Sequence, residues 1–155
     1  MKNTIRFILT TLVIVTLGSI SAFANNVHLI RDVDVTDGGT FAQACSKVAG
    51  LGNGDIIITL VGSATIRSTC VNPAGNIAPG QANKVVTGSI RIRAAEIKNG
   101  SVAFCVRTAD PACQTARSCG CPNNNWDATI VDVEFNSLVL TVEQGGSIVL
   151  QVTVL

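Results

Sequence analysis

The stretch "DIIITLVGSATIRSTC", residues 55–70, begins as a continuous apolar run and then turns polar. A short run of this kind, rich in isoleucine, valine and threonine, is typical of a β-strand. It is followed by "CVNPAGNIAPGQANK", residues 70–84, which contains two prolines, two glycines and three asparagines. Turn-forming residues at this density predict a long connection between two strands. We expect a rigid, neutral loop that is structural or contacts a protein.

Alternation of apolar and polar residues extends the β pattern in both directions. Asn99-Gly100 predicts one hairpin, because both central residues of a type I′ turn need positive φ. Gly145-Gly146 predicts a second hairpin. About seven strands with Gly/Asn turns predict an all-β fold, a disulfide-stapled antiparallel β-sandwich that is immunoglobulin-like or similar. The further predicted strands are residues 27–35, 88–97, 101–108, 127–135, 138–143 and 148–155.

One segment carries helix signals. Residues 40–50, "TFAQACSKVAG", begin with Thr40, a suitable N-cap, and end with Gly50, a suitable stop. We predict a helical turn there.

The N-terminus has the pattern of a signal peptide. Lys2 and Arg6 precede the apolar run "FILTTLVIVTLGSI". The motif "AFA" at residues 22–24 is a small-x-small cleavage site. We predict a signal peptide over residues 1–24 and a single β-sandwich domain over residues 25–155. The predicted location is secreted or periplasmic, with no membrane span left after the signal is removed.

The charge of the predicted mature chain is close to neutral. It has nine basic and 10 acidic side chains, because two of the 11 basic residues lie in the signal peptide. A nucleic-acid partner is not expected, since phosphate contacts need a surplus of lysine and arginine. The expected partner is an unidentified protein or glycan.

The cysteines predict disulfide bonds. An even number of cysteines in an exported chain favours oxidation, and their spacing lacks the paired ligands of a zinc site. Spacing alone does not choose among the possible pairings. The six are Cys45, Cys70, Cys105, Cys113, Cys119 and Cys121.

Three acids before a double glycine form a weak candidate metal site. Asp32, Asp34 and Asp37 offer the oxygen ligands that calcium prefers. The spacing departs from a calcium loop, which would have acids in place of Thr36 and Gln43. The favoured alternative is the polar face of a strand running into a turn, so no metal or other cofactor is expected.

Residues for catalysis are few. His28 is the only histidine, and no G-x-S-x-G motif is present. Asp132 and Glu134 share a strand face and are the candidate acids of a secreted hydrolase. Solvated acids on an outer strand face are the favoured alternative. We predict that the protein is not an enzyme.

Trp126, the only tryptophan, follows three asparagines and forms a candidate ligand site with Asn123, Asn124 and Asn125. An exposed indole among amide groups could stack on a sugar ring, which would make the domain a carbohydrate-binding module. The favoured alternative is a core tryptophan beside a disulfide.

Three arginines flank the Asn99-Gly100 turn. Arg91, Arg93 and Arg107 are expected to line up on one outer face of the predicted hairpin. Such a row could bind an anionic partner, although a solubilising surface is favoured.

Three motifs resemble a family of small secreted proteins of unassigned function, many of them bacterial. They are "AGLGN" at residues 49–53, "ATIRSTCVNPAGNIAPGQANK" at residues 64–84 and "CPNNNWDATIVDVEF" at residues 121–135. The shared features are a Gly-Leu-Gly turn, a cysteine at a strand end before an Asn/Pro/Gly-rich loop, and a Cys-Pro before a valine-rich strand. The resemblance covers roughly residues 49–142. It implies an exported β-sandwich-like domain and supplies no catalytic residues.

The resemblance also bears on the disulfides. Cys70 and Cys121 match the family-like positions and both flank Asn/Pro-rich segments, so we expect them to be joined. Cys105 with Cys113 is expected as a local staple. The function expected from the whole sequence is a non-catalytic domain that acts through its surface in adhesion, in the envelope or in extracellular binding.

The first prediction is that the mature chain begins at Asn25, because the small-x-small site ends at Ala24. Intact-mass measurement of the exported protein checks it. A species that retains residues 1–24 would contradict it.

Overall fold

Eight β-strands build two antiparallel sheets in the computed structural model, which describes residues 26–155. The predicted signal peptide and Asn25 lie outside these residues. Two short 3-10 helices, Ala94–Glu96 and Ala116–Cys119, complete the regular structure of the described range. The strands are β1 (His28–Leu29), β2 (Asp34–Asp37), β3 (Ala42–Ala49), β4 (Ile56–Val71), β5 (Ile77–Ile92), β6 (Val102–Arg107), β7 (Asp127–Gln144) and β8 (Ser147–Thr153).

The first sheet, called the β4 sheet, has the strand order β5-β4-β7-β8. β4 is 16 residues long and is paired along both edges from its first residue to its last. Its alternate residues from Ile56 to Cys70 are buried, and those between them face outwards. Period-two burial is what a strand with one core-facing side requires.

The second sheet, called the β3 sheet, is built around the segment predicted to hold a helical turn. That prediction is wrong, because residues 42–49 form β3. β3 pairs with β1 and β2 along one edge and with β6 along the other. Ala42, Ala44, Ser46 and Val48 are buried in strict alternation, which is the period of a strand and not of a helix.

The two sheets enclose one core, and a loop encloses a second. Ile58 and Leu60 of β4 pack between the sheets with Val48 and Val106. Farther along β4, Ile66 packs instead with partners that include Cys119 from the segment between β6 and β7. The predicted disulfide-stapled β-sandwich is therefore confirmed, with eight strands, and an irregular segment covers part of one sheet.

The Asn/Pro/Gly-rich stretch is mostly strand. Only residues 72–76 form the turn between β4 and β5, and residues 77–84, predicted as loop, belong to β5. The side-chain oxygen of Asn72 accepts the backbone N–H groups of Ala74 and Asn76 at 3.0 and 2.8 Å, which closes the turn. Pro79 is tolerated because β5 is an edge strand, where a missing N–H need not break the ladder.

The two predicted hairpins have different outcomes. Gly145-Gly146 does join β7 to β8. Asn99 and Gly100 adopt positive φ of 50° and 68°, as predicted, but β5 and β6 then diverge into different sheets. The expected hairpin between those strands is wrong, because the turn fixes only the local bridge between Lys98 and Ser101.

The three arginines consequently do not form a row. Arg91 pairs with Asp55 on the β4 sheet, and Arg107 pairs with Asp110 beside the β3 sheet. The expected arginine face is wrong, since the strands that would align it are not paired.

All six cysteines are oxidised. Cys70 is joined to Cys121, as expected, and Cys113 is joined to Cys119. The expected bond between Cys105 and Cys113 is wrong. Cys105 lies directly opposite Cys45 in the β3–β6 register and bonds to it.

Burial predicts a large difference between two isoleucines of the β4 sheet. Replacing Ile58, which is 0% exposed, by alanine should lower the free energy of unfolding by about 2–5 kcal/mol, because it leaves a cavity in the core. Ile77 is 72% exposed, and the same replacement there should cost less than about 1 kcal/mol. Urea unfolding with intact disulfides measures both. Equal losses would contradict the described packing.

Candidate functional site

The two candidate catalytic acids share one cation on the open face of the β4 sheet. Arg67 Nη2 lies 3.0 Å from Glu134 Oε2, and Arg67 Nε lies 4.0 Å from Asp132 Oδ2. More than half of each of these three side chains is exposed. The acids point outwards beside Arg67 and are not turned towards each other across a cleft, so this geometry resembles an ordinary surface ion pair.

His28 lies on β1 and is exposed. Its Nδ1 donates to the carbonyl oxygen of Asn26 at 2.8 Å. This ring nitrogen therefore holds a local turn and is bonded to no carboxylate.

The acids of the weak metal site are not brought together. Asp34 and Asp37 lie three residues apart on β2, so their side chains point to opposite faces of the strand. Asp37 Oδ1 accepts the N–H of Gly39 at 2.8 Å and so caps a turn. Within residues 26–155, no three His, Cys, Asp or Glu side chains are grouped so that they could hold a metal ion. Asp32, Asp34 and Asp37 therefore do not form such a group.

Two asparagine-rich segments meet at one end of the β4 sheet. Val71, the last residue of β4, pairs with both Ile77 and Asp127, so the turn at residues 72–76 and the segment at residues 121–126 are neighbours. We call this end the Asn-rich tip. Cys70–Cys121 joins its two segments covalently.

The predicted ligand residues lie at the Asn-rich tip. Trp126 is half-buried, which is neither the core position nor the open position considered from sequence, and the three asparagines before it are exposed. Asn123 Oδ1 accepts the N–H of Asn125 at 2.9 Å, and Asn124 Oδ1 accepts the N–H of Arg117 at 3.2 Å. The side-chain oxygens shape the segment, which leaves amide N–H groups at the surface to meet a ligand.

An apolar groove adjoins the Asn-rich tip on the outer face. It has a volume of about 680 Å³, and its lining includes the apolar Ile77, Pro79 and Val131 together with Gln81 and Arg67. Ile77 is 72% exposed and Val131 is 60% exposed. A shallow apolar groove beside polar loops is a common form of binding surface.

A β-bulge turns Val131 into this groove. The pairing of β4 with β7 shifts between Arg67 and Ser68, and Val131 is the unpaired extra residue. Strict alternation along β7 would place Val131 on the same face as Val133, yet Val133 is buried and Val131 is exposed. A bulge re-aims one side chain, and the alternation of residue types gave no sign of it.

Between the Arg67–Glu134 ion pair and the end opposite the Asn-rich tip, the outer face of the β4 sheet is neutral across β5, β4 and β7. Adjacent residues on three strands form short rows of threonine, serine and valine across the sheet. The rows are Ser89, Thr59 and Thr141; Thr87, Val61 and Val139; and Val85, Ser63 and Ser137.

The end of the β4 sheet opposite the Asn-rich tip carries an ordered ion pair. Arg91 donates to Asp55 Oδ2 from Nη2 at 2.8 Å and from Nε at 3.1 Å. The backbone N–H of Ala94 donates to Asp55 Oδ1 at 2.9 Å. These donors hold the pKa of Asp55 below its ordinary value, with the Ala94 hydrogen bond the largest cause and the Arg91 hydrogen bond next.

A covalently closed segment supports the Asn-rich tip from the inner side. Cys113–Cys119 closes a short loop, and the carbonyl oxygen of Cys119 accepts a hydrogen bond from Ser68 Oγ at 2.8 Å. Gly120 has a φ of 85° and lies so close to the backbone of Gln81 that a Cβ atom would collide with it. The segment is therefore pressed against both β4 and β5.

No protein-family model, curated protein or solved structure matches the chain. The resemblance to small secreted proteins thus stays a prediction. Three disulfides are typical of an oxidising compartment outside the cytoplasm. None of the helices found in residues 26–155 has the length and apolarity needed to cross a bilayer.

The lowered pKa of Asp55 predicts a pH-dependent loss of stability. The folded pKa lies below the ordinary value of 3.8, so the stabilisation is present above that pH and disappears as the pH falls through the folded pKa. Asp55→Asn should be less stable than the parent at neutral pH, and the difference should shrink in acid. Urea unfolding across acidic to neutral pH measures it.

Arg91→Gln is the matched variant for this prediction. It should retain part of the pH dependence, because the Ala94 hydrogen bond to Asp55 remains. A stability difference between the parent and Asp55→Asn that is constant with pH would contradict the prediction.

Proposed function

We propose that the chain is an exported, non-catalytic β-sandwich domain that acts through its surface, in adhesion, in the envelope or in extracellular binding. The observation that carries the proposal is the Asn-rich tip with its groove. Exposed Ile77 and Val131 lie there beside asparagine amides, on a frame tied by Cys70–Cys121. Such a surface offers apolar contact and hydrogen bonding, and the exposed Arg67, paired with Glu134, also lines the groove.

Export is supported by two independent features. Residues 1–24 have the charged start, apolar run and Ala-x-Ala of a signal peptide. The three disulfides need an oxidising compartment to persist. A secreted or periplasmic location accounts for both.

The absence of catalysis is supported by the placement of the candidate groups. Glu134 accepts a hydrogen bond from Arg67 at an exposed site, Asp132 lies 4.0 Å from the same guanidinium, and His28 bonds to a backbone carbonyl. Glycoside hydrolysis by paired carboxyl groups requires the two groups to flank the scissile bond of the bound substrate. The hydrolase alternative therefore has less support than surface binding.

Carbohydrate binding is the second candidate function. The half-buried Trp126 directly precedes β7 and follows the exposed Asn123, Asn124 and Asn125. A partly exposed indole can stack on a sugar ring, while the amides donate to hydroxyl groups. This combination favours a neutral oligosaccharide over an acidic one.

Binding by the groove is tested with charge insertions. Ile77→Glu and Val131→Glu should each abolish capture of envelope components by the immobilised domain, because a charge replaces exposed apolar area at the contact. Val85→Glu is the matched control, since Val85 is 77% exposed on the same sheet but lies outside the groove. Equal capture by all variants would contradict the proposal, and turnover of a substrate would overturn it.

Carbohydrate binding is tested through the single tryptophan. Because Trp126 is the only indole, all intrinsic tryptophan fluorescence comes from the Asn-rich tip. A neutral oligosaccharide found on a glycan array should shift the emission and protect it from acrylamide. Trp126→Ala should weaken binding by about tenfold or more. Binding that is unchanged in Trp126→Ala would contradict this second function and leave the first to its own test.

A further inference from the structure

Within residues 26–155, three of the four sheet edges each carry a feature that hinders pairing with another strand. β5 contains Pro79, and Gly120, which follows the Cys113–Cys119 loop, lies against its backbone at Gln81. Farther along β5, Thr87 accepts the N–H of Ala109 at 2.9 Å. Proline and a covering loop are two of the ways in which proteins block an exposed edge.

The edges of the β3 sheet are protected in other ways. β6 ends against β5, where the carbonyl of Arg107 lies so close to Gly88 that a Cβ atom would collide with it. On the opposite edge, β1 and β2 have two and four residues, and β2 carries Asp34 and Asp37. Short, charged edge strands pair poorly with other chains.

β8 lacks each of these protections. Its seven residues, "SIVLQVT", include no charge and no proline. It is the end strand of the β4 sheet, and within residues 26–155 it pairs only with β7. Exposed apolar side chains lie near its two ends. Ile148, the second residue of β8, is 60% exposed, and Leu155, two residues after its end, is 53% exposed.

The backbone groups that β8 leaves open follow from the alternation of a strand. The N–H of Val154 donates to Leu138 of β7 at 2.9 Å, so Val154 points its backbone groups into the sheet. Val152 and Leu150 share that orientation, because groups alternate along an antiparallel ladder. The N–H and C=O groups of Gln151 and Thr153 therefore point away from β7.

We propose that β8 pairs with β8 of a second copy of the chain, antiparallel about a twofold axis. Val152 would lie opposite Val152 of the second copy, and Gln151 of each copy opposite Thr153 of the other. The outward N–H and C=O groups of both residues are then bonded in both copies. Every facing pair is uncharged, so the strand is complementary to itself.

The same register covers the exposed apolar ends. An antiparallel arrangement centred on Val152 places Val149 of one copy opposite Leu155 of the other, and Ile148 follows one residue farther along. Ile148 and Leu155 are largely exposed in the single chain, and the junction would bring Leu155 of each copy against the Ile148–Val149 end of the other. The two β4 sheets become one continuous sheet of eight strands, and the twofold junction uses the β8 edge of both copies. A dimer is therefore the end point, and no filament forms.

Sedimentation velocity of the disulfide-intact chain, from micromolar to millimolar concentration, tests the proposal with charge swaps. In Gln151→Lys/Thr153→Lys, lysine faces lysine, so the dissociation constant should rise about tenfold or more. Gln151→Glu/Thr153→Glu should behave alike. Mixing the two variants places lysine opposite glutamate and should restore a dimer that contains one of each.

A control and a second variant keep the experiment decisive. Val85→Lys/Thr87→Lys adds the same charge to the outer face of the covered edge strand and should leave the dimer unchanged. Gln151→Pro removes an N–H that β7 does not use, so it should give a folded monomer. A parent chain that stays monomeric at millimolar concentration would overturn the proposal. A parent chain whose β8 instead pairs with a different protein would also overturn it. So would a dimer that persists in both like-charge variants.

Discussion

The fold depends on β4 being hydrogen-bonded along both edges while one of its faces is buried throughout. A strand in this position satisfies its backbone polar groups with β5 and β7. The side chains of its inner face are therefore available to pack against the rest of the protein. That face runs from Ile56 to Cys70. It contributes to the core between the sheets and to the second core under the cysteine-rich segment. The β3 sheet covers the first part of it, and the cysteine-rich segment covers the rest. The Asn-rich tip exists because β4 and its neighbours extend beyond the β3 sheet.

The second cover is an irregular segment, and disulfides compensate for its small apolar content. Cys70–Cys121 spans 51 residues and would contribute about 4 kcal/mol if it acts by restricting the unfolded chain. Cys119 is 1% exposed and packs with Ile66 and Val133, so it belongs to the core as well as to a cross-link. A loop fixed in this way holds the neighbouring asparagines and Trp126 in place, which limits the entropy lost when a partner binds.

Local signals predicted strands better than they predicted partners. Period-two alternation found β4, β6, β7 and β8, and Asn99-Gly100 does form the predicted turn. The pairing of strands depends on contacts far apart in sequence, so the turn could not reveal that β5 and β6 enter different sheets. Pro79 and Gly80 concealed an edge strand, since such residues are permitted where one side of the ladder is open. At the candidate site, residue types located Trp126 and its asparagines, whereas the exposure of Val131 depends on a bulge that alternation does not show.

The order of the cross-links also decides how the domain would carry a mechanical load. Tension applied to its two ends passes from Cys45 directly to Cys105 through the disulfide. It then follows eight residues to Cys113, crosses to Cys119 and follows two more to Cys121. The ten residues of this covalent path can span at most about 35 Å at full extension. β4 and β5 lie in the bypassed loop between Cys45 and Cys105, so the chain of the central strand is never stretched. Only the segments before Cys45 and after Cys121 can extend to their full length. The first strands to detach from their sheets would therefore be those in these two segments.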